Sequence, residues 1–169
     1  MLDVPPSIIA SASPHLVVSD AQRATRFYCR AFGALELYRL CTRQGKIARV
    51  ELQLGDGRLT LSDESPEWGT RSARSQGGSP VSLQVQTPDV EALARSFLAA
   101  GGFMVQPLRD QPFGDRSGQF RDPEGYHWSL AQRIEDVPPE QFEQRMSAIG
   151  LSLWWPSAGV AKRPRGPRR

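Results

Sequence analysis

The sequence predicts an α+β fold of two tandem βαβββ modules, and three observations support this prediction. Landmark residues recur 68 or 69 positions apart in the two halves of the 169-residue chain. Each half begins with a short β-branched strand, followed by an amphipathic helix that lies between an Asp and a Gly. Three further strand-like runs follow each helix. One offset shared by separate landmarks indicates that a single module has been duplicated.

Cap and turn residues define the repeat. They are the helix-start pair Asp20 and Asp89, the helix-end pair Gly33 and Gly101, and the turn pair Gly57 and Gly125. An Asp before a helix accepts hydrogen bonds from the first free backbone N–H groups, and a Gly can adopt the left-handed conformation that ends a helix. We therefore expect helices directly after Asp20 and Asp89.

The same landmarks predict the segments of the chain. These are an N-terminal extension over 1–11, modules over 12–64 and 81–133, a flexible linker over 65–80, a C-terminal helical segment over 134–151 and a basic flexible tail over 152–169. Within the modules, we expect strands at 35–41, 46–54 and 58–64, and at 103–108, 118–122 and 126–132. In the C-terminal segment, Phe142, Met146 and Ile149 recur at helical spacing, which predicts one packed face.

Composition excludes several classes of protein. No run of about 18 apolar residues is present, so no membrane-spanning helix is expected, and the N-terminus lacks the features of a secretory signal. Cys29 and Cys41 alone support neither a disulfide scaffold nor a thiolate zinc site. The net charge of +3 comes from the last eight residues, which hold five positive charges and leave −2 on the rest. We expect a cytoplasmic protein with a solvated tail, and nucleic acid is not an expected partner.

Two motifs resemble the glyoxalase/bleomycin-resistance group, or vicinal oxygen chelate superfamily. One is D-x-x-R-A-x-x-F-Y-x-x-x-F-G from Asp20 to Gly33, and the other is D-P-x-G-Y-x-W from Asp122 to Trp128. The run GKIARVELQLGDGRLTLSDE, with FGDRSG and EDV further along, resembles the PhnB-like branch more specifically. The resemblance covers roughly residues 12–137. It implies that the two sheets form an incomplete barrel around a cavity, with the helices outside, and that the protein is a homodimer.

Strand alternation predicts which side chains face that cavity. In 46–54 the apolar residues at even positions face the helix, so Arg49 and Glu51 point inward. The alternative is that these polar positions lie on a solvated sheet face. The predicted ligand-binding set is Ser13, His15, Arg49, Glu51, Thr60, Ser82, Gln84, Phe113, Arg116, His127 and Ser129.

The resemblance also implies a metal site whose usual ligands are missing from this sequence. Metal-using members bind one divalent ion through His and Glu side chains, and those four places carry onto Ser13, Thr60, Ser82 and Ser129. A neutral hydroxyl is a poor ligand compared with imidazole or carboxylate. We therefore expect no bound metal and no other cofactor. The alternative is a relocated site made of His15, His127 and Glu51.

The leading functional hypothesis is a metal-independent protein that binds a small amphipathic molecule. Phe113, Arg116 and Trp128 would add a stacking surface and a charge, although Trp128 is out of phase with Ser129 and fits the helix-packed core better. A second hypothesis is a lyase, isomerase or dioxygenase with a displaced metal, or a metal-free acid–base catalyst that uses Glu51 and His15. A third is an interaction module that binds its partner through the basic tail.

Overall fold

Each half of the chain folds into the expected βαβββ module. The computed structural model describes residues 12–154, so the extension over 1–11 and the tail from 155 onward lie outside the described residues. The first module contains β1 (His15–Val18), α1 (Ala21–Phe32), β2 (Leu35–Cys41), β3 (Ile47–Leu54) and β4 (Gly57–Asp63). The second contains β5 (Ser82–Gln86), α2 (Val90–Ala99), β6 (Phe103–Asp110), β7 (Asp115–Arg121) and β8 (His127–Arg133). A helix α3 (Pro139–Ala148) follows.

Each module forms its own four-stranded mixed sheet. The strand orders are β1-β4-β3-β2 and β5-β8-β7-β6. The first strand of each module runs parallel to the last strand, and the other pairs are antiparallel. Within residues 12–154, no strand of one sheet is hydrogen-bonded to a strand of the other, so the two sheets do not close into a barrel.

The helix caps explain where α1 and α2 begin and end. The carboxylates of Asp20 and Asp89 each accept a hydrogen bond from the third helical N–H group, at 2.8 and 2.9 Å. Gly33 ends α1 in the left-handed conformation, with φ 66°. The second helix ends slightly earlier than predicted, because Ala100 caps it in a right-handed conformation before Gly101. No helix of the described residues is long and apolar enough to cross a membrane.

An aromatic cluster forms the core where the two helices meet. Phe27 and Phe97 pack edge to face with their ring centroids 5.1 Å apart. The ring centroids of Phe32 and Trp128 are 4.7 Å apart. Trp128 is only 2% exposed. Its place in the helix-packed core, predicted from its phase on the strand, is confirmed. Because these rings come from both modules, the modules share one hydrophobic core.

A buried carboxylate joins the two modules. Asp122 is 1% exposed, and its Oδ2 accepts hydrogen bonds from the Tyr28 hydroxyl at 2.6 Å and the Trp128 indole N–H at 2.8 Å. Its Oδ1 accepts the backbone N–H groups of Glu124 and Tyr126. Burial raises the pKa of Asp122. Burial, followed by the charge of Asp122, raises the pKa of Tyr28 well above its usual range.

Glu124 extends this connection from the turn of the second module to the first. Its Oε2 accepts both the backbone N–H and the hydroxyl of Ser19 at 2.7 Å. Its Oε1 accepts a hydrogen bond from Arg23 Nη2 at 2.6 Å. Hydrogen bonds to an ionised carboxylate are stronger than neutral ones. The turn between β7 and β8 therefore holds the start of α1 in place.

The connection over 65–80, for which the Ser and Gly content predicts a flexible linker, makes local contacts and packs against the second module. It contains a short 3₁₀ turn, Pro66–Trp68, and both Ser72 and Ala73 are buried. Ala73 lies beside Gly125, in the turn between β7 and β8. The small side chains of this connection let its backbone pack closely against the second module, and composition alone does not reveal that packing.

Two further differences from prediction concern strand β7 and helix α3. β7 begins at Asp115 rather than at residue 118, because residues 115–117 pair with the end of β8. In α3, Met146 is buried as expected, but Ile149 is 55% exposed. The reason is that the helix ends at Ala148, so Ile149 leaves the predicted face.

We predict that Tyr28→Phe lowers the free energy of unfolding by about 1–3 kcal/mol, because it leaves the buried Asp122 carboxylate without one donor. Urea unfolding of the full chain measures this loss. The matched control is Tyr126→Phe, which removes a hydroxyl that donates to the backbone oxygen of Val17. A loss for Tyr28→Phe no greater than that for the control would contradict the role of Asp122.

Candidate functional site

One face of each sheet packs on the helices, and the other is turned away from them. In β3, Val50 and Leu52 are fully buried, whereas Arg49 and Glu51 are partly exposed. The same alternation holds in β8, where Trp128 and Leu130 are buried on either side of the partly exposed Ser129. We call the sheet face turned away from the helices the open face of each module.

Four side chains form a row across the open face of the first module. His15 lies opposite Thr60, Thr60 lies opposite Glu51, and Glu51 lies opposite Tyr38. We call this set the titratable row. Side chains of residues directly opposite each other on neighbouring strands are close enough to interact. The row thus places an imidazole, a hydroxyl, a carboxylate and a phenol side by side.

Glu51 is bonded to groups on both sides. The Tyr38 hydroxyl donates to its Oε2 at 2.9 Å, and Arg58 Nη1 donates to its Oε1 at 3.3 Å. Arg49 Nε donates in turn to the Tyr38 hydroxyl oxygen at 2.9 Å. The hydrogen bond from Tyr38, followed by the interactions with Arg58, lowers the pKa of Glu51. Its carboxylate is therefore ionised at neutral pH, and the two guanidinium groups leave this cluster with one net positive charge.

Both ring nitrogens of His15 are bonded to hydroxyl groups. Nδ1 lies 2.8 Å from Thr60 Oγ1, and Nε2 lies 3.1 Å from Ser62 Oγ. In the neutral ring one of these nitrogens donates and the other accepts, so both contacts can be satisfied at once. Burial, and after it the charge of Arg49, lowers the pKa of His15. The ring is therefore neutral at neutral pH.

The second module has an equivalent row of different chemistry. Gln84 lies opposite Ser129, Ser129 lies opposite Gln119, and Gln119 lies opposite Gln106. Each residue stands 68 or 69 positions after its counterpart in the titratable row. We call this set the amide row. Its side chains both donate and accept hydrogen bonds, and none of them is charged.

A groove of about 580 Å³ lies where the two modules meet. Phe32 and Leu54 of the first module and Leu83 of the second give it an apolar lining. Arg58 and Gln84, which belong to the two open faces, also line it. The groove therefore connects an apolar surface with polar groups of both modules.

The four places that the resemblance assigns to metal ligands do not suit a tightly bound divalent metal. Ser13 and Ser82 are exposed, Ser129 is partly exposed, and Thr60 is buried. The Thr60 hydroxyl is already bonded to His15 and to a backbone carbonyl. Neutral hydroxyl groups are weak ligands for zinc, nickel or iron. The donor set therefore does not fit the metal of the metal-using relatives.

The relocated metal site is not assembled within one chain. His127 lies at the start of β8, opposite Ser82 and Arg121, outside the row that contains His15 and Glu51. Across residues 12–154 there is no group of three or more His, Cys, Asp or Glu side chains placed to hold a metal ion.

The structure does not bring Phe113, Arg116 and Trp128 together as a binding surface. Arg116 bonds to Glu91 of α2 at 2.8 Å and to Asp110 at 2.7 Å. Because β7 begins earlier than predicted, Arg116 belongs to the strand and lies four positions before the buried Phe120. Its side chain is therefore on the same face of the sheet as Phe120, the face that packs on the helices. Trp128 lies in the core, and Phe113 lies in the loop before β7. The predicted stacking surface is therefore wrong.

Sequence reasoning missed Tyr38, Arg58, Gln106 and Gln119. The repeat offset would have identified Gln119 as the counterpart of Glu51. Tyr38 could not be placed in this way, because β2 shifts its register between Glu36 and Tyr38. That irregularity, which alternation alone does not predict, brings the phenol opposite Glu51.

Comparison with known proteins identifies one family. Its sequence profile, described as the Glyoxalase/Bleomycin resistance protein/Dioxygenase superfamily, matches residues 9–130. An uncharacterised protein of Mycobacterium bovis is 40% identical over 141 residues, which span 82% of this chain and 93% of that protein. An uncharacterised protein of Mycobacterium tuberculosis is also 40% identical over 141 residues, or 82% of this chain and 83% of its own length.

Solved structures share the fold. TioX from Micromonospora sp. ML1 matches with a TM-score of 0.59 and 27% identity, over 75% of this chain and all of that chain. An Arabidopsis thaliana gene product matches with a TM-score of 0.61 and 28% identity, over 73% and 99% of the two chains. The fosfomycin resistance protein FosX from Mesorhizobium loti, at 18% identity and a TM-score of 0.57, covers 78% of this chain and 95% of its own; at that identity the likeness shows the fold alone.

We predict that Arg49→Gln raises the pKa of His15, because a nearby positive charge disfavours the protonated imidazole. The pKa should stay below its usual range, since burial is the larger cause of the shift. An NMR titration of the His15 ring measures this change. Arg58→Gln is the matched control and should raise the pKa less. An unchanged His15 pKa in Arg49→Gln, or equal rises in the two variants, would contradict the assignment.

Proposed function

Since this chain belongs to the Glyoxalase/Bleomycin resistance protein/Dioxygenase superfamily, we propose that it binds a small amphipathic molecule at its open faces. The observation that carries the proposal is the groove between the modules, which joins an apolar lining to Arg58 and Gln84, one polar residue from each open face. Small-molecule sites typically combine a mostly apolar concave surface with a few polar groups that fix orientation. This groove has that combination.

The two rows, together with Arg49 and Arg58 beside the first, would give the site its selectivity. The Glu51 carboxylate and the guanidinium groups of Arg49 and Arg58 would recognise charged or strongly polar groups of the ligand. The amide row, represented by Gln84 and Gln119, would contact groups that need both donors and acceptors. A molecule that matches both surfaces must carry different polar groups at its two ends.

Binding suits these residues better than the acid–base catalysis that was the alternative. A general base works best when its pKa lies near the working pH, whereas hydrogen bonding lowers the pKa of Glu51. His15 has both ring nitrogens committed to Thr60 and Ser62. Membership of the PhnB-like branch and a cytoplasmic location stay predictions.

We expect full-chain thermal-shift screening of metabolites and drug-like compounds to find ligands that raise the melting temperature. For these ligands, Glu51→Gln and Gln84→Leu should each weaken binding by about tenfold or more, because a charged or buried hydrogen bond contributes about 1–3 kcal/mol. Glu36→Gln is the control, since among the described residues the Glu36 carboxylate bonds to Arg39 alone. If no compound stabilises the chain, or if the control weakens binding equally, the proposal fails.

A homodimer is part of this proposal, and the outer strands of the two sheets support it. β2 and β6 are edge strands whose outer backbone groups pair with no other strand of residues 12–154. Both expose large apolar side chains, namely Leu35, Leu37, Leu40, Phe103, Met104 and Val105. Long, exposed, apolar edge strands are normally covered in stable proteins. A second copy of this chain would supply matching apolar strands.

Sedimentation velocity of the full chain should show a dimer, and the double variant Leu40→Glu with Phe103→Glu should shift it to the monomer. A charge placed on each apolar strand is costly to bury. Trp68→Glu is the matched control, because Trp68 is 83% exposed but lies in the 3₁₀ turn rather than on an edge strand. A monomeric wild type, or dissociation of the control variant, would contradict the dimer.

A further inference from the structure

A separate pocket lies on the open face of the second module. It has a volume of about 370 Å³ and is formed between β6 and β7. β6 leaves the regular register between Gln106 and Arg109, where the chain passes through Pro107. The two residues between these paired positions bulge from the sheet, and the pocket lies beside this bulge.

Gly118 on β7 makes this arrangement possible. A Cβ atom at this position would lie 2.9 Å from the backbone oxygen of Gln106 and 3.1 Å from the backbone nitrogen of Leu108. Both are backbone atoms, which cannot turn aside as a flexible side chain can. The bulge therefore lies directly against the Gly118 backbone, and the pocket is a fixed feature of the two strands.

Three of the polar residues that line the pocket make no side-chain hydrogen bond among residues 12–154. They are Arg109, Ser117 and Gln119, whereas the amide of Gln111, which also lines the pocket, donates to the backbone oxygen of Arg109 at 3.5 Å. The nearest carboxylate in sequence, Asp110, does not line the pocket and bonds to Arg116 at 2.7 Å. The lining thus holds one net positive charge and several hydrogen-bond donors.

We propose that this pocket binds an oxyanion, a carboxylate or a phosphate, carried by the small molecule that the proposed function assigns to the open faces. The inference rests on that proposed function and names the charge of its ligand. A guanidinium matches the spacing of two oxygen atoms of one oxyanion and can donate a hydrogen bond to each of them. Ser117 and Gln119 would donate to the free lone pairs of the same oxygen atoms or, in a phosphate, to its other oxygen atoms.

NMR titration of the full chain with sodium acetate and, separately, with inorganic phosphate tests this inference, with sodium chloride at matched ionic strength as baseline. We expect saturable shifts of the backbone amides of Arg109, Ser117, Gly118 and Gln119 with at least one of the two anions. The anion that saturates at the lower concentration distinguishes a carboxylate from a phosphate. Arg109→Gln should weaken that binding at least tenfold.

The matched control is Arg121→Gln, which removes a guanidinium from the same strand pair but outside the pocket, where Arg121 lies over the Phe103 ring. This variant should change the affinity less than twofold. Shifts that do not saturate, or equal weakening by both variants, overturn the oxyanion pocket. The proposed function fails in a different way, namely when the screen finds no compound whose binding depends on Glu51 or Gln84. The two failures can therefore be told apart.

Discussion

The buried Asp122 carboxylate is the constraint on which the arrangement of the two modules depends. Its oxygen atoms bond to a phenol from α1, an indole from β8 and two amides of its own turn. An ionised group in such a place is tolerated only when its hydrogen-bonding capacity is filled. A change in the register of β8, the position of α1 or the conformation of the turn would therefore leave part of this hydrogen bonding unfilled. Glu124, two residues further on, extends the same requirement to the start of α1.

The two open faces differ in chemistry although the two modules share one strand order. Residues on the helix side, such as Val50 and Leu130, are fully buried and must fit a shared core. Their neighbours on the other side of each strand have no such restriction. The counterpart positions Glu51 and Gln119 show this difference, because the first is a carboxylate and the second an uncharged amide. A pseudo-symmetric fold thus offers two chemically different walls, which suits a ligand whose ends differ.

Much of the fold could be predicted because the cap residues Asp20 and Asp89 and the repeat offset are local signals. The position of Glu51 on the sheet face turned away from the helices followed from the alternation of a regular strand. The position of Arg116 was predicted wrongly, because residues 115–117 look like a loop in the sequence. In the structure they pair with the end of β8, and the Arg116 guanidinium lies on the helix side. Tyr38 could not be placed either, because an irregularity in β2 sets its position. Irregular pairing is decided by tertiary contacts that the sequence does not display.

The packing of the connection between the modules disfavours hinge motion of one module against the other. Hinge motion needs a few residues that make little contact with either moving part. Here Ser72 and Ala73 are buried, and Ala73 packs beside Gly125 in the turn that also holds α1. Swinging the halves apart would break these contacts together with those of Glu124. Opening the groove by a hinge motion would therefore cost the burial of Ser72 and Ala73 as well as the hydrogen bonds of Glu124.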